Sequence, residues 1–76
     1  MKELKKKPDH RLSVRHDKVN NEIHIEGNKS GLEYLIAACR SILGQPPGPN
    51  HWHFSEEFYT LDAGSAALSI CYTEGR

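Results

Sequence analysis

The 76-residue chain has room for one domain with a small core, because a protein of this length buries only about 60% of its unfolded surface. So small a core leaves little space for a ligand pocket, which usually takes about 300 to 1,000 Å³. No apolar run approaches the roughly 18 residues of a membrane span. The basic start also lacks the apolar run of a secretory signal, so we expect a cytoplasmic protein that does not contact the membrane.

The formal net charge of zero conceals two parts of opposite sign. Residues 1–18 contain seven Lys/Arg against three Asp/Glu, a net charge of +4, whereas residues 19–76 contain three against seven, a net charge of −4. We interpret residues 1–11 as a basic, frayed N-terminal segment and residues 12–76 as a single α+β domain. Because an acidic body repels phosphate groups, we expect a basic protein as the partner and no binding of nucleic acid.

Two short runs in which apolar and polar residues alternate predict a first β-hairpin. Asn20 and Asn21 lie between the runs, and paired asparagines tolerate the left-handed backbone of a tight turn. The apolar residues expected to face the core are Leu12, Val14, Ile23 and Ile25.

A capping-box pattern, Ser30 followed by Glu33, predicts the start of a helix that runs from Gly31 to Leu43. Gly44 is expected to end this helix in the left-handed conformation. Apolar residues at steps of three and four form the stripe expected to pack on the sheet, namely Leu32, Leu35, Ile36, Cys39, Ile42 and Leu43.

A loop rich in Pro and Gly, residues 45–50, precedes a second pair of strands. In the third strand Trp52 and Phe54 are expected to point inward, and in the last strand Leu68 and Ile70. One amphipathic helix and four half-apolar strands predict an α+β fold of ββαββ order. In it, one helix covers one face of a four-stranded, mostly antiparallel sheet.

The uncovered face of this predicted sheet carries the side chains that could bind a ligand. His51 and His53 share a face and could chelate zinc if a neighbouring strand supplied a third ligand, such as His24 or Cys71. His-x-His is also a common surface pair, and the sequence supplies no fixed ligand set, so we expect no metal and no other cofactor. No nucleophile has an identifiable base and oxyanion site, so we expect no enzymatic activity.

Three short motifs stand out: Gly31-Leu32 at the helix start, residues 47–53 (PGPNHWH) at the entry to a strand, and residues 61–65 (LDAGS) before the last strand. Together they resemble a small α+β immunity-protein family of bacterial polymorphic toxin systems. The resemblance extends from Glu22 to Glu74. It implies a non-enzymatic protein that binds and neutralises a cognate toxin domain by occupying its active site or locking its fold.

The resemblance and the acidic body together predict a partner-binding surface made of polar side chains. Immunity proteins of nuclease toxins are often acidic because they compete with nucleic acid for a basic groove. Two alternatives remain open, a metal- or small-ligand-binding module that uses the His-x-His strand, and a structural subunit that self-associates as a homodimer through its open sheet face. The residues predicted to bind the toxin are His24, Glu26, His51, His53, Glu56 and Glu57.

Overall fold

The structure is a computed structural model that describes residues 5–48, 51–57 and 59–73. Its elements follow the predicted ββαββ order: β1 (Leu12–Asp17), β2 (Glu22–Gly27), α1 (Lys29–Leu43), β3 (His51–Phe54) and β4 (Leu68–Cys71). The predicted α+β character and element order are therefore confirmed. Within the described ranges, no helix combines the length and the apolar character needed to cross a membrane.

The strands form two antiparallel sheets of two strands each, β1 with β2 and β3 with β4, where the sequence predicted one sheet of four. The outer edge of β1 explains the difference, because residues 62–66 occupy it. The backbone N–H groups of Asp62 and Ala66 donate to the carbonyl oxygens of Leu12 (2.7 Å) and Val14 (2.9 Å). The N–H of Val14 donates to Ser65 Oγ at 3.2 Å. With these groups satisfied, this edge of β1 is closed to β3 and β4.

The turn between β1 and β2 is organised by Asp17. Its Oδ1 accepts hydrogen bonds from the backbone N–H groups of Val19 (3.0 Å) and Asn20 (3.3 Å), and its Oδ2 accepts one from the Asn20 side-chain amide (2.9 Å). The hydrogen bond from the Asn20 side chain lowers the pKa of the Asp17 carboxyl below its usual value, and the bond from the Asn20 backbone adds to this effect. Asn21 has φ +50°, which confirms the left-handed turn predicted from the asparagine pair.

The helix begins two residues earlier than predicted, because Asn28 caps it and Ser30 does not. Asn28 has extended backbone angles, and its Oδ1 accepts a hydrogen bond from the N–H of Gly31 at 2.9 Å. Ser30 lies within the first turn, where its Oγ donates to Oδ1 of Asp9 at 2.7 Å. The predicted capping box is therefore wrong, although Ser30 has the chemistry of a cap.

The other end of α1 also differs from its prediction. Gly44 has φ −76° and ψ −6°, a right-handed conformation, so the predicted left-handed stop is wrong. Its N–H donates to the carbonyl oxygens of Arg40 (3.1 Å) and Ser41 (3.2 Å). The helix therefore ends by tightening its last turn, which satisfies terminal carbonyl groups without a left-handed residue.

The core draws on the first hairpin, the helix, β3 and a loop. Its buried members among the described residues are Leu12, Val14, Ala38, Phe54 and Leu61. Partly buried side chains pack against them, namely Tyr34, Leu35, Trp52, Leu68 and Ile70. The inward faces of β1, β3 and β4 were thus predicted correctly, whereas Leu61 enters the core from a loop that no periodicity marks.

The apolar stripe predicted for α1 only partly faces this core. The buried side of the helix carries Gly31, Ala38 and Ile42, while Ile36 is 50% exposed and Leu32 and Leu43 are also exposed. β2 shows the same discrepancy. Ile25 lies opposite the buried Val14 on one face of the hairpin, yet Ile25 and Ile23 are 42% and 59% exposed. The helix therefore leaves the apolar side of β2 partly in solvent.

His10 connects the described part of the basic N-terminal segment to the domain. Its ring is 8% exposed, and Nε2 lies 2.8 Å from the carbonyl oxygen of Thr60. The ring packs edge-on against Tyr34 at 5.2 Å between centroids, and Tyr34 packs in the same way against Phe54 at 5.8 Å. A chain of three rings thus leads from residue 10 into the core.

Substitution of His10 by alanine is expected to lower the free energy of unfolding by about 1 to 2 kcal/mol, because it removes a buried hydrogen bond and leaves the Thr60 carbonyl without that partner. Chemical denaturation of both proteins measures the change. Lys5→Ala, at an exposed position of the same segment, is the control and should unfold like the parent. An unchanged midpoint for His10→Ala would mean that residue 10 frays from the domain in solution.

Candidate partner-binding surface

The outer face of the first hairpin presents His24 and Glu26, two residues apart on β2. Glu26 is exposed, and its Oε2 lies 3.5 Å from an Nη2 of Arg15 on the neighbouring strand. His24 is half-buried, and its Nε2 lies 3.0 Å from Oε1 of Glu22 and 3.8 Å from Oδ2 of Asp17. Three carboxylates, one guanidinium and one imidazole therefore share this face, which gives it a net negative charge.

The second hairpin presents His51 and His53 on an exposed face of β3, with their ring centroids 5.7 Å apart. On the neighbouring strand, Cys71 lies opposite His51 and Ser69 lies opposite His53. Cys71 is an exposed free thiol. In the part of the chain that the structure describes, no group of three or more His, Cys, Asp and Glu side chains is placed to hold a metal ion.

The remaining two predicted contact residues, Glu56 and Glu57, lie in the turn that follows β3, and both are exposed. Glu56 has a structural partner, since its Oε2 accepts a hydrogen bond from the N–H of Gly64 at 2.8 Å. Gly64 has φ +86°, so this bond supports a left-handed turn. Glu57 makes no hydrogen bond or ion pair with any described residue, which leaves its carboxylate available to a partner.

The structure therefore places the six predicted residues at three surface positions. One pair lies on the first hairpin, one pair on the second, and one pair in the turn after β3. Between residues of the described ranges, no hydrogen bond or ion pair links the pair on the first hairpin to the other four. Whether all six contact one partner stays a prediction.

Two shallow depressions lie along α1, away from these six residues. One has a volume of about 230 Å³ and lies between the helix and the N-terminal segment, lined by Lys5, Lys7, Ser30, Glu33, Tyr34 and Ala37. The other is lined by Glu33, Ile36, Ala37 and Arg40. None of the six predicted contact residues lines either depression.

The surface feature that sequence reasoning missed is apolar. We define the apolar strip as Ile23, Ile25, Leu32 and Ile36, which are all exposed. A Cβ built at Gly27 would lie 3.5 Å from Cγ of Leu32, so Leu32 lies over the end of β2. Ile25 is two residues earlier on the same face of that strand, and Ile36 follows Leu32 by one helical turn. The strip therefore runs along β2 and the adjoining side of α1.

The signal for this strip was the width of the apolar surface on α1. Apolar residues occupy positions 32, 34–39 and 42–43, which is wider than one buried stripe of a surface helix requires. Some of these side chains must therefore remain outside the core. Periodicity alone did not show which ones, because two overlapping stripes both follow steps of three and four.

No family model, curated protein or solved structure matches this chain. The resemblance to immunity proteins therefore rests on the short motifs in the sequence. The fold is described by its own elements, two hairpins joined by one helix.

Proposed function

We propose that this chain is an immunity protein that acts in the cytoplasm, without enzymatic activity, by binding and neutralising a cognate toxin domain. The observation that carries the proposal is the acidic and imidazole side chains at the surface of a body whose net charge is −4. Such a surface complements a basic groove of the kind that toxins acting on nucleic acid possess. The binding residues proposed are His24, Glu26, His51, His53, Glu56 and Glu57.

The contacts of the carboxylates suggest which of them contribute most to encounter with the toxin. The charge of Glu26 is partly offset by Arg15 at 3.5 Å, and Glu56 is held by the N–H of Gly64. Glu57 has no such contact within the described ranges and is fully available to a basic side chain. Exposed charges at the rim of an interface act mainly on the association rate, so Glu57 is the most informative position to neutralise.

The direct test is to co-express the chain with the toxin-like domain encoded in the adjacent reading frame and to score survival of the cells. We expect the cells to survive only when this chain is present. Death at the same rate with and without it, while both proteins are shown to be folded and present, would refute the immunity function.

A second measurement tests the surface. Glu57→Gln should slow association with the toxin several-fold and reduce its dependence on salt, because one steering charge is lost. Combining it with Glu56→Gln should enlarge the effect, and a glutamine oxygen can still accept the bond from Gly64. Glu33→Gln is the matched control, since Glu33 is an exposed acid on α1 that pairs with Lys7 at 3.7 Å. Equal effects of Glu57→Gln and Glu33→Gln would show that the turn after β3 is not part of the interface.

A further inference from the structure

The outer edge of β2 can be identified from the hydrogen bonds of the first hairpin. The N–H of Asn28 donates to the carbonyl oxygen of Arg11, so this pair is hydrogen-bonded. In an antiparallel ladder bonded and non-bonded pairs alternate, so the backbone groups of every second residue point away from the partner strand. On β2 these residues are Ile23, Ile25 and Gly27. The bonds from residues 62–66 to Leu12 and Val14 agree with this assignment on β1.

The two edges of this hairpin differ in how they are covered. Residues 62–66 occupy the edge of β1, whereas no described residue donates to or accepts from the outward backbone groups of β2. An uncovered edge strand is a template for another strand, and proteins usually protect such an edge with lysine, proline or a bulge. β2 has no lysine, proline or bulge, and its acidic residues Glu22 and Glu26 lie on the outer face. It carries Ile23 and Ile25 beside its unpaired groups. The edge and the apolar strip thus form one continuous surface.

We propose that this surface binds a second copy of the chain, by antiparallel pairing of β2 with β2 about a two-fold axis at Ile25. This register pairs Ile25 with its own copy and Ile23 with Gly27 of the second copy, so every outward backbone group of β2 gains a partner. Two β1–β2 sheets then join into one antiparallel sheet of four strands. The axis is perpendicular to that sheet, so both helices lie on the same side.

The charges on the outer face of β2 favour this register. With the axis at Ile25, His24 lies opposite Glu26 of the second copy, and the reciprocal pair repeats the contact. Moving the axis by one residue to His24 would place Glu22 opposite Glu26 of the second copy, which brings like charges together twice. Like charges directly opposite each other destabilise a sheet, whereas the imidazole of His24 can donate a hydrogen bond to Glu26, so the side-chain pattern favours the pairing centred at Ile25.

The apolar strip supplies the favourable burial for this pairing. Ile23 and Ile25 lie on the face of the hairpin that also carries Val14, and Leu32 and Ile36 lie on the adjoining side of α1. In the dimer these four side chains of each copy meet on one side of the joined sheet, beneath the gap between the two helices. Burial of exposed apolar surface is the main driving force for association. This interface uses the edge of β2 and includes His24 and Glu26, two of the six residues proposed to bind a toxin, whereas His51, His53, Glu56 and Glu57 lie outside it.

Sedimentation velocity of the full chain, from micromolar to millimolar concentration, tests the proposal. We expect a dimer whose population rises with concentration. Ile25→Lys should weaken it about a hundredfold or more, because two lysines would meet at the axis. Val19→Lys introduces the same side chain at an apolar residue that is 93% exposed and outside the strip, so it should dimerise like the parent. A parent that stays monomeric throughout, or equal weakening by both lysines, would overturn the proposal.

Disulfide trapping tests the register in a background where Cys39→Ala and Cys71→Ser remove the two free thiols. Ile25→Cys should form an intermolecular disulfide, because paired residues of an antiparallel ladder lie about 5.5 Å apart between Cα atoms, within disulfide range. Ile23→Cys should not, since it faces Gly27 of the second copy. Trapping at position 23 and not at 25 would refute the register. Trapping at neither position by a chain that still dimerises would refute pairing through β2.

Discussion

Phe54→Ala is expected to lower the free energy of unfolding by about 3 to 5 kcal/mol, the largest effect of any single substitution considered. Among the described residues, Phe54 is the largest fully buried side chain. It packs against the core from β3 and meets the ring of Tyr34 edge-on at 5.8 Å. A small domain is stabilised by about 5 to 15 kcal/mol at most, so this loss would leave a large part of the protein unfolded.

The change can be measured by urea denaturation followed by the fluorescence of Trp52, which packs against the same core. Leu43→Ala serves as the control, because Leu43 is 64% exposed at the end of α1 and its truncation should cost little. If Phe54→Ala unfolded at the same urea concentration as the parent, β3 could not be packed on the core as described.

Gly31→Ala is expected to destabilise the protein by about 3 kcal/mol, although alanine is normally the better helix residue by about 1 kcal/mol. A Cβ at this position would lie 1.9 Å from the carbonyl oxygen of Arg11 and 2.8 Å from its carbonyl carbon. These are backbone atoms of the residue just before β1, and they cannot move aside as the tip of a flexible side chain would. The helix start would have to separate from the first hairpin.

Gly48→Ala is the matched control for this substitution, because a Cβ there would meet no atom within 4 Å. Thermal unfolding of the two variants should show a loss of stability at position 31 and nearly none at position 48. A stabilised Gly31→Ala protein would indicate that helix propensity dominates and that the close approach of α1 to β1 does not exist.

Local patterns were sufficient to predict the elements of this fold. Alternation marked the strands at Val14 and Phe54, the asparagine pair marked the first turn, and steps of three and four marked the helix. Each of these signals depends on residues close in sequence. The same is true of the surface position of Glu57, in an acidic turn between two apolar runs.

The features that were predicted wrongly depend on contacts between residues far apart in sequence. Asn28 and Ser30 are both residue types that cap helices, so the sequence near Ser30 does not decide between them. The Asn28 side chain is also fixed from a distance, because its amide donates to the carbonyl oxygen of Asp9 and its Oδ1 accepts from the N–H of Arg11. In the same way, His10 looks like part of a charged, solvated terminus until Thr60 and Tyr34 are brought beside it.

The surface features also differ in whether local sequence patterns could predict them. The four polar residues of the strands were predicted at the surface because polar side chains in half-apolar strands point outward, and Glu56 and Glu57 because they lie in an acidic segment. The four residues of the apolar strip were predicted to lie in the core. A sequence pattern shows that Ile25 and Ile36 lie on the apolar face of their elements, but it does not show how much of that face another element covers. Only the three-dimensional arrangement shows that α1 leaves the apolar side of β2 partly exposed to solvent.

The pairing of residues 62–66 with the edge of β1 affects how the chain folds during synthesis. The first hairpin can form as soon as β2 leaves the ribosome. The N–H of Val14 can bond to Ser65 only later, because Ser65 is 51 residues further along the chain. Until then both edges of the hairpin are unpaired. Closing so long a loop lowers the conformational entropy of the chain before the new contacts form. We therefore expect the last step of folding to be slow for a protein of this size. A truncated chain that ends before residue 62 would keep both edges open.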